Sequence, residues 1–96
     1  MKIDFNKNGG ILNVSLDGRL DTTTAPAFEA FLAEQYEGTD AMVIDCAKLA
    51  YISSAGLRVL LTAHKRMRGA MKLTNVSELV MEVLEMTGFA DILVIA

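Results

Sequence analysis

The run AMVIDC, residues 41–46, constrains this chain more than any other stretch. It is almost wholly apolar and only six residues long. Such a run suits a strand covered on both faces, the usual condition of a strand in a parallel sheet. The expected strand is therefore central and fully buried, with Cys46 inaccessible within it.

The flanking sequence supplies the other layers. Ile3 and Phe5 alternate with polar neighbours and read as a short strand. Gly9-Gly10 marks a turn, and Leu12, Val14 and Leu16 alternate with Asn13, Ser15 and Asp17 as the second arm of a hairpin. Asp17-Gly18 is expected to end that arm. Thr22 to Thr24 offer helix caps and Pro26 suits a first turn. Phe28, Phe31, Leu32 and Tyr36 then recur at helical spacing, and Gly38 closes the helix.

Beyond AMVIDC, a second helix starts near Ser53 or Ser54. Leu57, Leu60, Leu61, His64 and Met67 form its inner face, and Gly69 its end. Met71 and Leu73 mark a short strand. A third helix carries Val80, Val83 and Leu84, capped by Asn75 with Glu78 or by Ser77, with Gly88 at C′. Ile92 to Ile95 suggest a last buried strand. The order ββαβαβαβ predicts one α/β domain over residues 1–96, a mixed sheet with helices mainly on one face.

Composition narrows the function. At 96 residues the chain can bury one core without staples. Its net charge of −3 argues against nucleic acid or an acidic membrane surface as the main partner. A single cysteine excludes a disulfide framework and fits a reducing compartment. No apolar run reaches the ~20 residues of a membrane helix, and the N-terminus lacks a signal-peptide core. A cytoplasmic protein is expected.

The chemistry concentrates at YISSAGL, residues 51–57. A serine there can cap a helix, act as a nucleophile or accept phosphate. As a cap it contributes ~1 kcal/mol. A nucleophile needs a base and an oxyanion hole. The only histidine, His64, lies ten residues on within the apolar stripe, and the G-x-S-x-G elbow is absent. A phosphate at a helix N-terminus would meet free N–H groups and the positive end of the dipole. Gly56 would let another backbone or a ligand approach.

In that light the chain resembles the STAS family, and more narrowly its small bacterial anti-sigma factor antagonists. The likeness rests on VIDC at 43–46 and AYISSAGL at 50–57. GRLD at 18–21 and the stretch from TNVS to TGF at 74–89 extend it over essentially the whole chain. The resemblance implies a binding protein, not an enzyme. Its phosphoacceptor falls on Ser54, with Ser53 as second choice because Ser53 stands where the family often has Asp. The unphosphorylated form would bind an anti-sigma factor serine kinase, phosphorylation would release it, and a metal-dependent serine phosphatase would reset the cycle. The alternative is an accessory or scaffold subunit, without a phosphoswitch, of a lipid-transport or stress-signalling assembly.

The partner-facing residues expected on this basis are Asp21, Thr22, Ser53, Ala55, Gly56, Leu57, Arg58, Val59 and Thr62. Asp21 is equally readable as a cap for the first helix. Arg58, Thr62 and Arg66 form a stripe on the outer face of the second helix, with Val59 beside it. Asp45 is expected to order the loop after its strand rather than bind metal. No ligand cluster is seen, and no cofactor is expected.

Overall fold

A computed structural model describes residues 1–96. In chain order the elements are β1 (Lys2–Asn8), β2 (Ile11–Leu20), α1 (Ala25–Gln35), β3 (Ala41–Ile52), α2 (Ser54–Arg66), β4 (Met71–Thr74), α3 (Glu78–Met86) and β5 (Val94–Ile95). The strands form one sheet in the order β1-β2-β3-β4-β5. β1 pairs with β2 antiparallel, and the other pairings are parallel. The predicted order and mixed sheet are thus present.

Period-two alternation decides which sheet face is covered. Leu12, Val14 and Leu16 of β2, Met42, Ile44 and Cys46 of β3, and Met71 and Leu73 of β4 are all buried. They share one cluster with Phe28 and Leu32 of α1, Leu57, Leu60 and Ala63 of α2, and Val80 and Leu84 of α3. All three helices therefore pack on one face. Burial pushes the Cys46 thiol up to about 12, with Asp45 adding to the shift. No buried residue is polar or charged.

Several expectations need correction. β3 is central but not covered on both faces, because Val43 and Asp45 point to the open side and are only half-buried. Asp17-Gly18 does not end β2. The β2–β3 register shifts between Ser15 and Asp17 and again between Gly18 and Arg19, and pairing runs on to Leu20 with Ile52. Such bulges absorb extra residues without ending a strand. The last strand is only Val94–Ile95, preceded by a 3₁₀ turn at Phe89–Asp91, and Ile92 and Val94 are exposed. At α3 the cap is Ser77, whose hydroxyl accepts from the Val80 N–H at 3.3 Å.

Asn75 is not the cap. It adopts a left-handed φ of 54° and donates to Asp45 Oδ1 at 3.0 Å. Asp45 also accepts from the Ala47 N–H at 3.0 Å. It therefore tethers the loop after β4, not the one after its own strand. These bonds, Asn75 first, hold the Asp45 carboxyl below its ordinary value.

Candidate functional site

The site forms where β2 and β3 end together. Leu20 pairs with Ile52, and the Ser53 N–H donates to the Leu20 carbonyl at 2.9 Å. From there one chain turns through Asp21 into α1 and the other through Ser53 into α2. The two turns are adjacent because the strands that deliver them are hydrogen-bonded neighbours.

Asp21 acts as the clasp of its turn. Its Oδ1 accepts from the Thr23 N–H at 3.0 Å, the Thr23 hydroxyl at 2.7 Å and the Thr24 N–H at 3.2 Å. The Thr23 hydroxyl bond leads in holding this carboxyl below its ordinary value, against partial desolvation. The capping alternative is thus realised one turn ahead of the helix, while Thr24 holds the N-cap position without a side-chain cap bond. Arg19 lies beside it, with Nε 3.7 Å from Asp21 Oδ2 and its guanidinium carbon 4.2 Å from the centre of the Tyr51 ring.

Ser53 occupies the N-cap of α2 with an extended backbone, φ −103° and ψ 175°. Its carbonyl accepts from the Leu57 N–H at 2.9 Å, starting the helix. Its hydroxyl makes no cap bond. The Oγ atom is instead buried and has no hydrogen-bond partner. Ser54 is the first helical residue and is exposed. The N–H groups of the first turn have no intrahelical acceptors, and that turn has no acidic residue. An anion on Ser54 would meet both the unpaired donors and the positive end of the helix dipole.

Gly56 and Leu57 are buried. A Cβ on Gly56 would lie 2.7 Å from Leu20 Cγ and 3.0 Å from the Leu20 carbonyl oxygen. The backbone that approaches Gly56 is the chain's own β2, not a ligand. Both residues set the position of the helix tip and offer a partner little surface.

Between α1 and α2 lies an open groove of about 410 Å³, lined by Thr22, Ala25, Pro26, Glu29, Ala55, Arg58, Val59 and Thr62. Thr22, Ala55, Arg58, Val59 and Thr62 were expected from sequence. Val59, beside the outer stripe, is buried at 6% exposure, so it lines the groove but offers a partner little surface. Arg66 does face outward, but stacks on Tyr36, its guanidinium carbon 4.4 Å from the ring centre. Ala25, Pro26 and Glu29 were missed. Pro26 was readable as a helix start, and Glu29 follows Ala25 by four residues on the same helix face.

His64 lies ten residues along α2, about 15 Å by helical rise, too far to serve Ser54 as a base. It is a half-buried packing residue, and its Nδ1 is buried without a hydrogen-bond partner. No three His, Cys, Asp or Glu side chains converge as metal ligands. No helix is long and apolar enough to cross a membrane.

A single small α/β domain with three helices on one face of a five-stranded mixed sheet is the class that this geometry defines. Residues 2–96 match the STAS domain family. The whole chain is 39% identical to BtrV of Bordetella bronchiseptica, assigned as an anti-sigma factor antagonist, and covers 86% of that protein. It is 30% identical to the anti-sigma-B factor antagonist of Bacillus subtilis, over 97% of this chain and 88% of that one. The Bacillus anti-sigma factor antagonist SpoIIAA shares the fold in its unphosphorylated form, with a TM-score of 0.77 and 14% identity over 99% of this chain and 87% of that one. Its phosphorylated form gives 0.75 and 15%, over 99% and 91%. The chain belongs to the STAS domain family.

Proposed function

We propose that this chain is an anti-sigma factor antagonist that works by partner switching. Unphosphorylated, it binds an anti-sigma factor that is itself a serine kinase. The kinase transfers phosphate to Ser54, the complex separates, and a metal-dependent serine phosphatase restores the binding form. The protein acts by binding, carries no reaction of its own, and works in the cytoplasm beside the transcription machinery.

One observation carries this reading: adjacent serines at the tip of α2 differ in access. Ser54 is exposed, whereas the Ser53 Oγ is buried. A kinase must bring ATP's terminal phosphate into line with the acceptor oxygen, so an enclosed hydroxyl is disfavoured. The residues around Ser54 supply the rest. Thr22, Ala55, Arg58 and Thr62 edge a groove that a partner can enter, and the Asp21 turn lies beside it. Two relatives assigned as antagonists support the same reading, and SpoIIAA, which shares the fold, has a structure in phosphorylated form.

Phosphate at the helix tip adds about −1.5 to −2 charges to this surface. An uncompensated charge driven into an interface costs several kcal/mol, while on the free protein the same charge stays in water. The modification therefore acts on binding and not on folding.

The test is phosphotransfer from the cognate kinase, with the site mapped by mass spectrometry. Wild type and Ser53→Ala should take up one phosphate on Ser54, and Ser54→Ala none. Phosphate on Ser53 would move the acceptor by one residue. If neither serine is modified and Ser54→Asp binds its partner as wild type does, the accessory-subunit reading replaces this one.

A further inference from the structure

Arg58 stands four residues after Ser54 on α2. Residues at that spacing lie one above the other on a helix, about 5–6 Å apart at Cβ. Both are exposed. The chain's ion pairs, Lys2 with Asp4 and Arg19 with Asp21, do not involve Arg58. Arg58 lines the groove, as does Glu29 of α1. Arg19, near the end of β2, and Asp21, in the turn before α1, are already engaged with each other.

We infer that Arg58 is the intramolecular partner of a phosphate on Ser54. The inference rests on the proposed switch and adds a second consequence to modification. The phosphate places an anion at the helix tip and also draws a cation off the groove rim. A partner that meets Arg58 across the groove then loses that contact while it gains a repulsive charge. An anion preceding a cation by four residues is the favourable order along a helix. A guanidinium can also hold two phosphate oxygens at once.

The experiment uses the full chain with phosphoserine incorporated at position 54 during synthesis, so it needs no kinase. The second ionisation of the phosphate, ordinarily near pH 6, is followed by phosphorus NMR. The helix dipole acts on wild type and variants alike, so the comparison isolates the side chain. In Arg58→Gln the value should rise by about 0.2–0.4 pH unit, roughly a twofold change in the ionisation constant, with the phosphorus chemical shift moving as well. Lys65→Gln removes the same charge at the far end of the helix and should leave the value in place. Arg58→Lys should lie between wild type and Arg58→Gln. Equal values in wild type and Arg58→Gln, or equal shifts in Arg58→Gln and Lys65→Gln, would overturn the inference. Failure of any kinase to modify Ser54 would instead remove the proposed switch and leave this measurement unaffected.

Discussion

Two helices of this molecule begin at a serine, and the two serines behave differently. Ser77 and Ser53 both hold N-cap positions with extended backbones. Ser77 turns its hydroxyl to the Val80 N–H, and Glu78 in the same turn complements the helix dipole. The start of α3 is therefore neutralised and closed. At α2 the Ser53 hydroxyl is turned inward, and no acid follows in the first turn. One tip is finished as structure. The other keeps its donors and its dipole free beside an exposed serine. Stability forgone at a helix start is what the proposed anion-accepting tip would require.

Gly56 offers the largest way to break this contrast. It lets α2 begin hard against Leu20, whereas α3 begins without any glycine in its first turns. Leu20 is fully buried and has little room to yield. Gly56→Ala should cost about 2 kcal/mol in urea denaturation, because overpacking outweighs the roughly 1 kcal/mol that alanine returns in helix propensity. A stabilised Gly56→Ala would show that the helix tip floats free of β2.

The caps come next. Ser77→Ala should lose about 1 kcal/mol, the ordinary worth of a bonded N-cap. Ser53→Ala should stay within about 0.5 kcal/mol of wild type or exceed it, because it deletes a buried hydroxyl that has no partner. A loss of 1 kcal/mol or more from Ser53→Ala would mean that Ser53 caps α2 in solution, and the two helix starts would then be alike.

Much of this was readable in the residues. The alternation of Leu12, Val14 and Leu16, the Gly9-Gly10 turn and Gly88 at C′ each follow from local stereochemistry, and each is present. The strand ends were not readable, because Asp17-Gly18 has turn chemistry but meets β3 at a bulge that lets pairing continue. Helices mainly on one face were expected, but the open side of β3 was hidden. Val43 is apolar yet lies on the open face, so composition alone made AMVIDC look buried on both sides.

Asn75 and Ser77 were equal as caps in sequence. A tertiary bond to Asp45, thirty residues away, decided between them. At the site, a helix start near Ser53 or Ser54 could be placed from its own neighbourhood, while the choice of Ser54 as acceptor came from the family resemblance. The α1 wall of the groove could not, because it depends on how two helices cross above the sheet.

The account stands or falls on what phosphate at Ser54 does to binding. Isothermal titration of the partner kinase into unmodified and Ser54-phosphorylated protein, with melting temperatures taken in parallel, measures it. The expected result is a weakening of about 10⁴-fold, the shift that takes a complex from mostly formed to mostly separated, with the melting temperature nearly unchanged. Equal affinities for the two forms, or a loss of affinity matched by unfolding, would contradict it.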